Sequence, residues 1–208
     1  KAIFAAYLNS GQACAAATRL LVPASRLAEV NAIAKATIAQ AIKVGDPKDS
    51  TVNIGPMVSK QQFERVEDYI RIGLEEGATL LTGGLGKPEG LDQGNFVKPT
   101  IFTDVDNAMR IAQEEIFGPV LSIIPYQDEA DAIRIANDTP FGLCSYITST
   151  DRARALRVAN QIDAGRVCIN NVLHDPLAPF GGFKQSGIGR EYGTFGLDAY
   201  LEPKAIIG

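Results

Sequence analysis

Val120-Leu121-Ser122-Ile123-Ile124-Pro125-Tyr126 is followed almost at once by Asp128-Glu129-Ala130-Asp131-Ala132-Ile133-Arg134-Ile135-Ala136. The first run is nearly all apolar, as a strand covered on both faces must be. The second opens on Asp128, a residue that caps helices, and continues through Ala130, Ile133, Ile135 and Ala136 as a helix. The same alternation then recurs. Residues 143–148 read as a strand, 151–162 as an Arg/Ala-rich helix, and 165–169 as another strand. Strand and helix in turn, with apolar strands, predict an α/β fold: a three-layer α/β/α domain around a mainly parallel sheet.

Toward the amino end the pattern holds. Residues 19–22 form a short strand candidate, and Pro23-Ala24-Ser25 hands over to an Ala-rich helix over 26–43. Leu27, Val30, Ile33, Ala34, Thr37, Ile38 and Ala41 fall at helical spacing there, and Gly45-Asp46-Pro47 stops it. Ser59 with Gln62 predicts a capping box for a second helix. That helix places Phe63, Val66, Tyr69, Ile70 and Gly73 on one face and ends at Gly77. A strand over 79–82 breaks at Gly83-Gly84. Toward the carboxyl end, residues 175–189 are rich in Gly and Pro and read as an ordered irregular loop. A short helix is expected near 192–197. Residues 199–207 read as a lone strand extending from the domain. Lys1, not Met, begins the chain inside the apolar segment 2–8, so these residues are expected to be a piece of a longer protein.

At 208 residues, 46% hydrophobic and 21% charged, the chain suits an ordinary globular protein with a real core. A net charge of −4, with no cluster of Lys and Arg among aromatics, argues against nucleic acid as a partner. No apolar run approaches the ~20 residues of a membrane span. Three cysteines without disulfide-like spacing favour a reducing, cytoplasmic setting.

Three segments could carry chemistry. Asn9-Ser10-Gly11-Gln12-Ala13-Cys14 presents a cysteine on a polar, glycine-containing turn. Peptide N–H groups there would favour a thiolate and a developing oxyanion; the alternative is a small buried apolar residue. Cys144 and Cys168 lie within strand candidates and read as packing. Glu114-Glu115-Ile116-Phe117-Gly118-Pro119 sets two carboxylates before a turn and a strand. They could accept hydrogen bonds from a ligand's hydroxyls, with Phe117 as an apolar wall, or lie on a helix surface. The third segment, Pro179-Phe180-Gly181-Gly182-Phe183-Lys184-Gln185-Ser186-Gly187-Ile188-Gly189-Arg190-Glu191, lets the backbone pack closely against something. It lacks the strand and spacing of a dinucleotide fingerprint. His174, the single histidine, reads as a surface residue. No metal-ligand spacing is present.

In their order and spelling these three segments resemble the aldehyde dehydrogenase superfamily. Asn53-Ile54-Gly55-Pro56, Pro99-Thr100 and Asn137-Asp138-Thr139-Pro140-Phe141-Gly142-Leu143 agree, so the resemblance covers essentially the whole chain. It implies that Cys14 is the nucleophile of an NAD(P)-dependent oxidation of an aldehyde to an acid through a thioester. It implies that Glu115 holds the hydroxyls of the nicotinamide ribose and that Phe117 packs beside them. It also implies that Ala13, Ala15 and Phe180 line the aldehyde's path, and that residues 172–175, with His174, sit at its mouth. On this resemblance residues 1–198 are the catalytic domain and 199–208 an oligomerisation strand of a homodimer or homotetramer. The cofactor-binding half, with the general base and the second oxyanion donor, lies outside these residues. Two alternatives remain at this stage: a CoA-acylating aldehyde dehydrogenase, or an assembly module that is inert by itself.

Overall fold

The structure, a computed structural model, describes residues 1–171 and 174–208. It divides into two units, Lys1–Asp138 and Thr139–Gly208. The division falls within the residues that the sequence reading treats as one catalytic domain.

In the first unit α1 (Ala2–Ala6) turns Ile3 and Ala6 inward. After the Cys14 loop come β1 (Arg19–Pro23), a 3-10 turn at Ala24–Arg26 and α2 (Leu27–Ala41). α3 (Lys60–Glu75) buries Val66, Tyr69, Ile70 and Gly73, the face expected from the sequence. Its C-cap Glu76 is followed by Gly77, whose φ of +89° only glycine tolerates easily. Next are β2 (Thr79–Thr82), β3 (Thr100–Thr103), the short α4 (Arg110–Gln113) and β4 (Val120–Tyr126). α5 (Glu129–Asn137) starts where Asp128 accepts a hydrogen bond from the Asp131 N–H at 2.9 Å.

The strands lie in the order β1-β4-β3-β2. β4 runs parallel to both β1 and β3, and β2 pairs antiparallel with β3 at the edge. Alternation along β4 fills two cores. Val120 and Ile124 meet Val66, Tyr69, Ile70 and Ile111 on one side of the sheet. Leu121 and Ile123 meet Ile3, Ala6, Val22 and Ala34 on the other. This is the expected three-layer arrangement, and it explains why β4 has no polar face.

One local expectation fails by half. Ser59 caps α3, accepting from the Gln62 N–H at 3.1 Å. The Gln62 side chain does not reach back to complete the box. Its amide donates instead to the carbonyls of Ile116 and Phe117. Those carbonyls sit in irregular backbone that has no ladder to satisfy them, so a side-chain donor takes that role.

The second unit contains β5 (Phe141–Gly142), β6 (Cys144–Ile147), α6 (Arg152–Ala159), β7 (Arg166–Ile169), β8 (Phe183–Lys184) and α7 (Gly193–Asp198). β6 and β7 are parallel and joined through α6, while β5 pairs antiparallel with β8. Asp151 caps α6 through the Arg154 N–H. The terminal segment read as a strand forms none here. Residues 201–208 have neither helix nor strand, and Ile206 and Ile207 are exposed. A strand is held by its neighbour's peptide groups, and among the described residues none pairs with this segment.

Gly73 tests the packing of α3. A side-chain carbon there would meet the Phe102 ring at 3.0 Å and Ile111 at 3.2 Å. Gly73→Ala should lower stability by about 1–3 kcal/mol in urea unfolding, despite alanine's better helix propensity. A gain in stability would mean that the helix and sheet do not approach this closely.

Candidate active site

The Cys14 loop is built by an unusual backbone. Asn9, Ser10 and Gly11 are all left-handed, with φ of 50°, 60° and 74°. Three such residues in a row reverse the chain within a 3-10 turn, Leu8–Gly11. The conformation costs energy for the two non-glycine residues, so it must be held from outside. Ser10 is clasped from both directions. Its hydroxyl donates to the Gly55 carbonyl at 3.2 Å and accepts from the Gly55 N–H at 2.9 Å. Gln12 accepts from the Val58 N–H at 2.8 Å. Asn9 donates to the Gln12 carbonyl at 3.1 Å. On the other side a side-chain carbon on Gly11 would overlap the carbonyl of Gly118, so the two backbones touch directly. The preceding residue is fixed as well: the buried Tyr7 hydroxyl donates to the Thr100 carbonyl at 2.9 Å. Burial pushes that hydroxyl's pKa far above its ordinary value.

Beyond this anchor the Ala16 N–H closes a turn onto the Ala13 carbonyl at 2.9 Å, and Cys14 sits within it, exposed. Ala13 and Ala15 are half-buried beside it. Among the described residues the Cys14 N–H has no hydrogen-bond partner. An accessible thiol thus stands next to an unused amide donor.

The Glu114–Pro119 segment is braced by α3. Gln62 donates to the Ile116 carbonyl at 3.0 Å and to the Phe117 carbonyl at 2.8 Å. Arg65 donates to the Glu115 carbonyl. Val66 fills the space where a side chain on Gly118 would stand. Phe117 is left-handed, φ 61°, and its ring is exposed. The two adjacent acids then differ sharply. Glu114 accepts from Arg110 at 2.7 and 2.9 Å and from the Tyr69 hydroxyl at 2.7 Å. Those bonds hold its pKa down, from 4.5 to about 2. Burial and then the nearby Glu114 raise the Tyr69 hydroxyl. The Glu115 carboxylate is exposed and has no partner among the described residues. Gln62, Arg65, Tyr69 and Arg110 also line an open groove of about 650 Å³ that contains no residue of the Cys14 loop.

The remaining candidates lie in the second unit. Phe180 is half-buried and His174 exposed, with ring centroids 6.5 Å apart. Tyr192 joins them, 4.8 Å from His174 and 5.9 Å from Phe180. Arg166 lies 3.1 Å from His174 Nδ1. His174 is thus exposed, as a surface residue is expected to be, and has aromatic neighbours. Residues 172 and 173 of the expected mouth lie outside the described residues. Cys144 and Cys168 occupy β6 and β7 and are half-buried. The sequence reading missed Gln62, Arg65 and Tyr69 as supports. It also missed Tyr192 as a neighbour of His174. The helical spacing of 62, 65 and 69 was a readable signal, but their targets lie some fifty residues away.

A family model, "Aldehyde dehydrogenase family", matches residues 1–206. The chain belongs to the aldehyde dehydrogenase family. It is 52% identical over 201 residues to the 3-succinoylsemialdehyde-pyridine dehydrogenase of a Pseudomonas species, covering 97% of this chain and 42% of that protein. Among solved structures it is similar to a mutant of aldehyde dehydrogenase C from Pseudomonas syringae complexed with NAD+ and octanal. The TM-score there is 0.96 at 47% identity, over 99% of this chain and 42% of that one. It is also similar to a Mycobacterium tuberculosis aldehyde dehydrogenase complexed with NAD+. That match has a TM-score of 0.93 at 50% identity, over 96% of this chain and 41% of that one. The chain thus spans about 42% of the length of such relatives.

Two outcomes test this arrangement. Gly11→Ala should cost about 3 kcal/mol or more, since it joins a backbone overlap to a left-handed φ. A variant as stable as the wild type would disprove the close contact with Gly118. For Glu114 the folded pKa is depressed, so its contribution is complete above 4.5 and fades as pH falls toward about 2. Glu114→Gln should therefore flatten the fall of Tm between about pH 6 and about pH 2. Parallel curves for variant and wild type would remove Glu114 from the acid response.

Proposed function

We propose that the protein containing this chain oxidises aldehydes to carboxylic acids with NAD+ or NADP+, and that Cys14 is its nucleophile. One observation carries the reading most. An exposed thiol stands on a loop clamped from two sides, with its own N–H unspent. The Cys14 thiolate attacks the aldehyde carbonyl carbon, and the Cys14 N–H donates to the oxygen that gains charge. A bound nicotinamide would supply the hydride acceptor, and Cys14 would then carry the acyl group as a thioester. Water then attacks the thioester carbon, the acid departs and Cys14 leaves as thiolate. The clamps on Ser10 and Gln12 keep the sulfur and the N–H in one arrangement throughout, so little reorganisation accompanies the charge.

The residues present suit the cofactor. Glu114 is engaged by Arg110 and Tyr69, whereas the Glu115 carboxylate is open to accept two vicinal hydroxyls. The exposed Phe117 ring offers an apolar surface beside it. This supports Glu115 as the ribose acceptor and Phe117 as the ring that packs near the ribose and nicotinamide. Ala13, Ala15, His174 and Phe180 form the aldehyde's surroundings on this reading. The base, the second oxyanion donor and most of the dinucleotide site belong to the cofactor-binding half found in the family. Residues 199–208 would gain ladder partners from a second copy in a homodimer or homotetramer. The free thiols suit a reducing compartment such as the cytoplasm. The 208-residue chain by itself is expected not to turn over.

The test uses the full-length protein. Cys14→Ser should lower aldehyde-dependent NAD+ reduction by at least about a thousandfold. The wild type, quenched early with aldehyde and NAD+, should carry an acyl mass on the Cys14 peptide. Alkylation should reach Cys14 before Cys144 and Cys168. Retained turnover in Cys14→Ser would refute the nucleophile. Glu115→Gln should raise the KM for NAD+ about tenfold or more, with a smaller effect on the aldehyde's KM. An unchanged KM for NAD+ would remove Glu115 from the cofactor's contacts.

A further inference from the structure

Tyr192 stands where residues with side chains seldom do, at φ 67° and ψ 158°. That region is essentially left to glycine, and a bulky residue in it is strained. Such strain lasts only where the chain is held on both sides. On the amino side Phe180 and Glu191 exchange both backbone hydrogen bonds, at 2.9 and 2.7 Å. On the carboxy side the Gly193 N–H donates to the Pro176 carbonyl at 3.2 Å. Gly193 is also pressed against the Leu177 carbonyl so closely that no side chain would fit. The conformation is thus imposed by neighbours rather than chosen by Tyr192 itself.

Its result is a third ring. Tyr192 meets His174 edge-on, at an interplanar angle of 74°, and meets Phe180 at 57°. Arg166 supports the other two rings from outside, with its guanidinium 5.7 Å from the Phe180 centroid and 3.1 Å from His174 Nδ1. Tyr192 is nevertheless 43% exposed, so packing within the cluster does not consume its ring. A strained residue that spends its side chain on an open aromatic surface is badly placed for stability alone. It is well placed to touch something that arrives from outside.

We propose that Tyr192 is a specificity-determining residue, the third face of an aromatic surface that favours aldehydes bearing an aromatic ring over short aliphatic ones. This rests on the reading in which His174 and Phe180 line the aldehyde's path. A ring reaching His174, Phe180 and Tyr192 gains edge and offset contacts that a short alkyl group cannot make. The Tyr192 hydroxyl adds a polar tip on the same wall.

The experiment measures kcat/KM of the full-length enzyme for phenylacetaldehyde and for propanal, in the wild type, Tyr192→Phe and Tyr192→Gly. The wild type should prefer phenylacetaldehyde. Tyr192→Gly relieves the backbone and deletes the ring. It should lower the phenylacetaldehyde-to-propanal ratio about five- to tenfold, mainly through KM of the ring-bearing substrate. Its Tm should stay within about 3 °C, because relief of strain offsets lost ring contacts. Tyr192→Phe should hold the ratio within about twofold. Equal losses for both substrates, an unchanged ratio, or a wild type without the preference would each overturn the proposal. Retained turnover in Cys14→Ser is a different failure: it would overturn the nucleophile and leave the ring preference standing or falling on its own ratio.

Discussion

The contact between Gly11 and the Gly118–Pro119 backbone is the constraint from which the site follows. Two stretches of main chain touch with no side chain between them. One leads into the Cys14 turn and the other into β4, the strand packed on both faces. The position of the thiol is therefore referred to the middle of the sheet. A loop tethered only at its ends would let the sulfur wander by more than a reacting geometry tolerates. Ser10 on Gly55, Gln12 on Val58 and Tyr7 on Thr100 add attachments at three further places in the chain.

α3 serves the other half of the site in a similar way. Its inward residues build a core, and its residues nearest the turn reach across to the carbonyls of three successive residues, Glu115, Ile116 and Phe117. Each such bond contributes only about 1 kcal/mol net. Together they hold Phe117 in a left-handed conformation and settle which way its ring and the Glu115 carboxylate are presented. The distinction between the two adjacent acids comes from the same helix and from α4. Tyr69 and Arg110 engage Glu114 and leave Glu115 open. A pair that is identical in composition becomes two groups in different surroundings because of what lies beside each.

The elements that read most clearly from the sequence are those set by local periodicity. The double-faced apolar run of β4, the stripe Val66, Tyr69, Ile70 and Gly73, and the helix start at Asp128 all depend on residues within a few positions of one another. The order of motifs points to the family, and the family match bears that out. Interactions at long range were not legible. Ser59, three residues before Gln62, predicts a capping box. The real targets of the Gln62 side chain are more than fifty residues on, in a segment whose irregular carbonyls need a donor. The surroundings of His174 are hidden from the sequence for the same reason. Its ring neighbour Tyr192 comes close only through the bridge of Phe180 to Glu191 and a backbone conformation that no propensity scale assigns to tyrosine. The terminal segment is a different case: its apolar residues suit a ladder, but a ladder needs a second strand, and among the described residues none pairs with it.

The nested contacts around Gly118 carry a consequence for how such a chain can drift over evolutionary time. The space that a side chain on Gly118 would need is already occupied by Val66, and the Gly118 carbonyl in turn closes off any side chain on Gly11. Three positions far apart in sequence thus share one small volume. A larger residue at one is tolerable only after its neighbour has shrunk or shifted, so single replacements meet a dead end that paired ones could avoid. Sequences derived from this one should hold these positions together or exchange them in concert, with the helix, the turn and the strand start inherited as one block.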